Sequence, residues 1–148
     1  MLLVAAVCSL VVLVHWPGLS ARALLMDDAD YLEQNLLLSN PSWTSARRFL
    51  TEVFEPSTVP GSYIPLTMIS MMLDHAGGGS SQHLYPFHRT SLILHVSNTV
   101  LVICLLQLLF RRWGVAALGG LLFGLHPLTV ERICLLYTSD AADELDGV

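Results

Sequence analysis

The fold is decided by residues 90–112, TSLILHVSNTVLVICLLQLLFRR, an uncharged and mostly apolar run that stops at Arg111 and Arg112. A helix of about 20 apolar residues crosses the hydrocarbon core of a bilayer, so the run from Thr90 to Phe110 predicts a transmembrane helix. A second apolar run, Trp113 to Leu125, follows at once, and the two predict a helical hairpin with a very tight turn. Arginines at the ends of membrane helices favour the cytoplasm, so the Arg pair is expected there and the polar segments outside.

Small residues recur every four positions in the second run of this hairpin, at Ala116, Gly120 and Gly124. A face of small residues lets the backbones of two membrane helices approach each other closely. The spacing therefore predicts tight packing of this helix against a neighbour.

The first apolar run, Leu2 to Val14, allows two interpretations. It is either a transmembrane helix with Trp16 at the membrane interface, or a signal peptide with a small-x-small cleavage site at residues 21–23. No positive charge precedes the run, which favours the transmembrane helix. In both interpretations the segment HWPG, residues 15–18, is expected to end the helix.

The composition excludes several classes of protein. Of the 148 residues, 53% are apolar and only 13% are charged, about half the charged share of a soluble domain. The chain has no lysine, and its arginines are scattered, so it lacks the basic surface that binds nucleic acid. These features indicate a membrane protein and exclude a soluble enzyme, a disordered tail and a nucleic-acid binder.

The segment between the first run and the hairpin is more polar and is interrupted by prolines. It is expected to form short helices at residues 27–35, 42–54 and 63–75. Ser42 is the predicted N-cap of the second helix, and Pro65 lies near N1 of the third. The third helix is expected to lie in the membrane interface or to pack against other helices, and residues 76–81 to form a flexible link.

We therefore expect an all-α fold, a fragment of a polytopic membrane protein with about three transmembrane helices and a helical extracytoplasmic loop over about residues 17–88. The membrane domain is expected to cover residues 1–133. The stretch CLLYTSDAADE, which begins at Cys134, resembles the in-frame translation of a transposase-type sequencing adapter. Residues 134–148 are therefore expected to be foreign to the gene.

The densest acidic cluster contains Asp27, Asp28 and Asp30, shortly after the first apolar run. Carboxylates this close together are able to hold a divalent cation or to supply a general base. The alternative is helix capping, because Asp27 suits an N-cap and acids in a first turn favour the helix dipole.

Polar side chains also lie at the outer ends of the hairpin. His88, His95 and Asn98 fall within about 80° of one another on a helix, and polar groups inside a span usually face protein or water. Their alternative role is hydrogen bonding between helices. His126 and Glu131 flank Pro127, either as residues of an outer cavity or as a simple helix terminus.

The order of these elements resembles the N-terminal membrane part of the transmembrane and tetratricopeptide-repeat-containing (TMTC-like) proteins. The resemblance covers about residues 20 to 131. It rests on four motifs with sensible spacing, namely DDADY (Asp27 to Tyr31), YIPL (Tyr63 to Leu66), HRTSLILHVSN (His88 to Asn98) and LLFGLHPLTVE (Leu121 to Glu131). In YIPL, Ile64 stands where that family usually has Arg, which removes a candidate contact to phosphate.

TMTC-like proteins are similar to GT-C glycosyltransferases, which transfer a sugar from a polyprenyl-phosphate carrier on the extracytoplasmic side. The resemblance implies that Asp27 and Asp28 are catalytic. Separately, Asp28 and Asp30 match the short Asp-x-Asp metal motif of soluble nucleotide-sugar transferases, which makes them candidate ligands of a divalent cation. The remaining motif residues are then expected to bind the substrate: Tyr31, Tyr63, His88, His95, Asn98, His126 and Glu131.

The partners implied are membrane lipids, a lipid-linked sugar donor and a protein acceptor, without nucleic acid. The location implied is a multi-pass position in the bacterial inner membrane or the endoplasmic reticulum. The fragment alone is expected to be inactive. Two alternatives stay open: a non-catalytic membrane anchor of a tetratricopeptide-repeat interaction protein, and a transporter fragment with His95 and Asn98 lining a pathway.

Overall fold

A computed structural model describes residues 2–20, 35–52 and 63–126, and these residues form helices and turns without a β-strand. The all-α prediction is thus confirmed for the described part of the chain. The chain divides into two units, the first with residues 1–21 and 91–136 and the second with residues 22–90 and 137–148. In chain order the helices are α1 (Leu2–His15), α2 (Leu36–Ser39), α3 (Trp43–Thr51), α4 (Pro65–Ala76), α5 (Tyr85–Phe110) and α6 (Trp113–Gly124).

The first unit contains α1, the part of α5 from Ser91 onward, and α6. Its core is formed by five buried side chains from the three helices: Val7, Val11, Ile103, Ala116 and Ala117. Each is aliphatic and two are alanines, so the helices pack closely without polar groups at this level.

The small-residue face of α6 packs as its spacing predicts. Ala116, Gly120 and Gly124 are all buried. A Cβ atom at Gly120 would overlap the side chain of Ile103 on α5, and one at Gly124 would lie 2.5 Å from Cγ2 of Val11 on α1. The absence of these Cβ atoms is what allows α6 to approach both neighbours.

The turn between α5 and α6 consists of Arg111 and Arg112 alone, which confirms the predicted tight hairpin. Arg111 has a φ of 52°, in the left-handed region, and Arg112 is the N-cap residue of α6. A left-handed residue reverses the chain within two positions, at a modest steric cost for a side chain other than glycine.

Two helical segments are long and apolar enough to cross a membrane: Leu2–Ser20 and Tyr85–Phe110. In each, only 22% of the most apolar window is buried, so the apolar side chains mostly face outward. Helix α6 is apolar but shorter, and the residues after His126 lie outside the described part of the chain. The third predicted span therefore stays a prediction.

The first α-helix ends at His15, within the segment 15–18 that was expected to end it, and the chain continues as a 3-10 helix over Trp16–Ser20. Proline fits there because its φ suits a helical turn, and a short 3-10 turn is a frequent way for an α-helix to end. Helix α5 begins at Tyr85 rather than Thr90, because Pro86 is tolerated in the first turn of a helix.

The second unit contains short helices, two of which begin at a side-chain cap. Ser42 is the N-cap of α3, as predicted, and its hydroxyl accepts the backbone N–H of Ser45 at 3.0 Å. Asn35 was expected to end a helix but instead caps the start of α2, where its side chain accepts two backbone N–H groups. Helix α3 ends at Thr51, earlier than the expected residue 54.

Helix α4 supplies the centre of the second unit. Pro65 occupies its first turn, as predicted. Met68, Met71 and Met72 are buried. Helices α2 and α3, which carry the buried Leu38 and Phe49, pack against this helix. Of the two predicted locations for this segment, packing against other helices is confirmed.

Residues 77–84 form a hydrogen-bonded turn, so the predicted flexible link is wrong. Ser80 and His83 exchange two backbone hydrogen bonds, at 3.1 and 2.9 Å. Gly78 has a φ of 96°, and a Cβ atom at Gly79 would lie 2.6 Å from the Phe87 ring. The three consecutive glycines thus serve tight packing as well as chain reversal.

Candidate functional site

Half of the predicted site residues lie outside the described residues. These are the catalytic candidates Asp27 and Asp28, the cation ligand Asp30, and the substrate-binding candidates Tyr31 and Glu131. Their predicted roles as base, cation ligands and substrate contacts therefore stay predictions. The structure does place the remaining five predicted residues.

Tyr63 lies at the surface of the second unit, just before α4. Its hydroxyl donates a hydrogen bond of 2.8 Å to the backbone carbonyl oxygen of Leu50 near the end of α3. The contact ties the start of one helix to the end of another. The ring itself is half exposed and remains accessible to a ligand.

The three polar residues predicted to share a face of α5 do not share one environment. His88 is buried in the second unit, with 1% of its surface exposed, and His95 is buried in the first, with 8% exposed. Asn98 is exposed, on the same side of α5 as the exposed Leu94 and Leu101. The offset of about 60° between His95 and Asn98 is enough to move the amide out of the packed interface.

His95 lies where the three helices of the first unit meet. Its Nε2 is 3.0 Å from the carbonyl oxygen of Gly124 on α6, and its ring stacks on Phe123 with centroids 5.7 Å apart. The ring centroid of His15, on α1, lies 5.3 Å away. The interhelical hydrogen bond considered as the alternative role of His95 is therefore present.

His126 follows the end of α6 and is exposed. Its backbone N–H donates to the carbonyl oxygen of Phe123, 3.4 Å away, in the turn that ends the helix.

Asp74, near the end of α4, is a carboxylate that the sequence analysis missed. Its Oδ1 accepts a hydrogen bond of 2.6 Å from the hydroxyl of Thr90, on α5 in the same unit. Burial raises the pKa of Asp74 above its usual value, and the Thr90 hydrogen bond and the charge of Arg89 oppose that shift. A carboxyl group with a raised pKa is closer to the range of a general acid or base at neutral pH.

His15 is the second residue that sequence reasoning missed, because it was interpreted only as the end of an apolar run. An ionisable group inside a candidate span was the signal that pointed to it. The corresponding signal for Asp74 was its position as the lone acid in an otherwise uncharged helix. In both cases the partner comes from a distant part of the chain.

Among the described residues, no three His, Cys, Asp or Glu side chains cluster as metal ligands. The divalent cation expected from Asp28 and Asp30 therefore depends on residues outside that part of the chain. Comparisons with protein-family models, with curated proteins and with solved structures found no match to the chain.

Proposed function

We propose that the chain is the N-terminal membrane part of a multi-pass protein that transfers a sugar from a polyprenyl-phosphate carrier to an acceptor on the extracytoplasmic side. Two independent observations support this proposal. The exposed apolar surface of the long helices supports the membrane location, and the four TMTC-like motifs support the reaction.

The membrane location is supported by where the leucines lie. Leu13 on α1 is 69% exposed, and Leu101 and Leu108 on α5 are 65% and 76% exposed. Soluble proteins rarely leave large contiguous apolar surfaces in water, and helices that are apolar all round belong in large cores or in membranes. With most of each long segment facing outward, lipid is the solvent that suits these helices.

The proposed reaction needs a proton acceptor at the outer membrane face. The bond between sugar C1 and the carrier phosphate oxygen breaks, and a bond between C1 and the acceptor oxygen forms. Asp27 or Asp28 accepts the proton that the acceptor oxygen loses, while the polyprenyl phosphate departs with the bonding electron pair. Because only eleven positions separate Trp16 from Asp27 in the sequence, we expect these carboxylates to stay near the headgroups.

A non-catalytic membrane anchor for a tetratricopeptide-repeat protein is the second candidate function. Ile64 favours it, because the TMTC-like pattern has Arg at this position. An Arg side chain there would give a charged hydrogen-bond donor to a carrier phosphate, and isoleucine has none. Sugar transfer by the complete protein distinguishes the two functions.

The test uses the protein encoded by the complete reading frame, with a polyprenyl-phosphate sugar as donor. Asp27→Asn and Asp28→Asn are expected to lower turnover by about a hundredfold or more, the scale of a lost acid–base group. Thermal stability in detergent should change little, because a lost helix cap costs only about 1 kcal/mol. Near-normal turnover in both variants, with slight destabilisation, would assign these carboxylates to capping and contradict the proposed site.

A further inference from the structure

A column of exposed side chains runs along α5 in the first unit. Its members follow one another at intervals of four and three residues, the heptad spacing of a coiled coil: Leu94, Asn98, Leu101, Leu105 and Leu108. The four leucines are between 54% and 76% exposed, and Asn98 is exposed as well. Since this spacing keeps side chains on one side of a helix, the five residues form a continuous surface, named here the heptad face.

Asn98 is the polar member of the heptad face and lies near the middle of α5. Its side-chain amide makes no hydrogen bond with the described residues, whereas the neighbouring Ser97 donates its hydroxyl to the carbonyl oxygen of Ile93. Polar side chains inside a membrane span almost always face protein or water rather than lipid. In the proposed membrane location, the exposed amide therefore indicates that a partner covers the heptad face.

The chemistry of the amide points to a second copy of the chain as that partner. An Asn side chain offers both N–H donors and a carbonyl acceptor, so two Asn98 side chains are able to satisfy each other. In a two-fold symmetric pair, the same surface patch contacts its own copy. Two copies inserted in the same orientation have parallel α5 helices, which places the two Asn98 residues at the same depth in the membrane.

The apolar members of the heptad face suit the same arrangement. Leu94, Leu101 and Leu108 recur at every seventh position, and Asn98 and Leu105 occupy the alternate positions of the seam. Parallel two-stranded coiled coils have this pattern, and a single Asn in their seam fixes the register. Residues 90–110 contain no Asp, Glu, Lys or Arg, so pairing brings no like charges together within this part of α5.

We propose that the chain pairs with a second copy of itself through the heptad face, with the two Asn98 side chains hydrogen-bonded to each other. Another side of α5 packs within the unit, where Ile103 is buried in the core with α1 and α6. One helix thus serves the fold of the unit and its self-association. The proposal rests on the proposed membrane location and is independent of sugar transfer.

Cysteine cross-linking in a bacterial inner membrane tests the pairing. All three native cysteines of the chain are changed to alanine, and a single cysteine replaces either Leu94 or Ile93. These neighbours are similarly exposed, at 54% and 57%, but only Leu94 belongs to the heptad face. On oxidation, Leu94→Cys should give a disulfide-linked dimer and Ile93→Cys should give little. Equal yields, or no dimer from Leu94→Cys, would overturn the proposal.

Two further measurements on the Leu94→Cys variant identify what has failed. A chain that resists extraction by alkaline carbonate but forms no dimer would overturn the pairing alone. A chain released from the membrane by carbonate would overturn the membrane location as well. The dimer should also form in the protein encoded by the complete reading frame, and its loss there would assign the heptad face to another helix of that protein and overturn the proposal.

Two substitutions of similar size test the role of the amide. Asn98→Leu removes the amide and keeps an apolar side chain on the heptad face, whereas Asn98→Gln keeps an amide. Energy transfer between labelled chains in lipid vesicles measures the dissociation constant of the dimer. Asn98→Leu should raise it about 3- to 30-fold, the range for one hydrogen bond between membrane helices, and Asn98→Gln should change it much less.

The sign of the Asn98→Leu effect is informative because it depends on the solvent. In soluble coiled coils an Asn in the seam lowers stability, so replacing it with leucine strengthens pairing. In lipid, the unpaired amide has no water to bond to, and the replacement should weaken pairing instead. An unchanged or lower dissociation constant for Asn98→Leu would overturn the proposal, as would equal weakening by Asn98→Leu and Asn98→Gln.

Discussion

The two units of this chain differ in the length of their apolar helices more than in the exposure of apolar side chains. In the second unit α3 turns Phe49 inward, but Leu36 and Leu66 are exposed. In the first unit α1 and α5 carry apolar side chains on both their packed and their outward sides, as Ile103 and Leu101 show. Among the described residues, only the segments that contain α1 and α5 are long and apolar enough to cross a membrane, and the proposed membrane location of the first unit rests on this difference.

The hydrogen bonds differ only in part. The second unit uses side-chain caps at Asn35 and Ser42 and an exposed ion pair between Arg48 and Glu52. Side chains that bond to backbone carbonyl oxygens occur in both units, as those of His95 and Thr99 do in the first and those of Thr51 and Tyr63 do in the second.

The largest expected effect comes from placing the same charge on each unit. Leu101→Arg, on the exposed side of α5, should reduce membrane insertion by about 2.5–3.5 kcal/mol, the cost of Arg near the centre of a span. Leu50→Arg, on the exposed side of α3, should change stability by no more than about 0.5 kcal/mol. A reporter of membrane insertion measures the first and thermal unfolding in detergent the second. Equally small effects of the two arginine substitutions would contradict the proposal that the first unit lies in a membrane and the second does not.

Close packing within the first unit gives the next effect. Gly120→Ala should lower the free energy of unfolding by about 1–3 kcal/mol, because its Cβ atom overlaps Ile103 in a tightly packed interface. Gly114→Ala, on the same helix, has no neighbour within 4 Å and should be neutral or slightly stabilising. Denaturant titration in mixed micelles measures both, and identical responses would show that α6 does not pack as described.

Capping in the second unit gives an effect of about 1 kcal/mol. Ser42→Ala removes the acceptor for the backbone N–H of Ser45 and should destabilise α3 by that amount. Ser97→Ala removes only a bond to the carbonyl of Ile93 inside α5, so its effect should be close to zero. Hydrogen exchange at the first turn of α3 reports the loss locally. Unchanged exchange there would contradict the assigned cap.

The smallest effect is the pH dependence from Asp74. Burial raises its pKa in the folded state, so the folded chain binds more protons than the unfolded chain between the two pKa values. Its contribution to stability should therefore fall as pH rises through that interval, and Asp74→Asn should remove this dependence. Thr90→Val removes the hydrogen bond that lowers the pKa of Asp74. This variant should therefore make the dependence of stability on pH steeper. Thermal unfolding across acidic to neutral pH tests the sign, and a stability that rises with ionisation of Asp74 would contradict it.

Local patterns predicted the features that depend on neighbouring residues. The Arg111–Arg112 turn, the small-residue face of α6 and the Ser42 cap are all confirmed. Each follows from side-chain size or hydrogen bonding within a few positions. Such features are readable from sequence because the chain itself brings the groups together.

The features that could not be predicted from the sequence depend on contacts between residues far apart in the chain, or on a proline that a helical turn tolerates. No local pattern pairs His15 with His95 or Asp74 with Thr90, because helix packing decides those contacts. Pro86 was interpreted as part of the interrupted segment before the span, although a proline is tolerated in the first turn of α5. The predicted acidic site stays untested because it lies outside the described residues.

The central claim is that the first unit spans a membrane and leaves the second unit outside. Cysteine labelling tests it most directly, with Gln82→Cys in the exposed turn before α5 of a chain otherwise free of cysteine. After expression in a bacterial inner membrane, an impermeant thiol reagent should label this cysteine in intact spheroplasts as strongly as after lysis. Labelling that appears only after lysis would place the second unit on the cytoplasmic side and contradict the account.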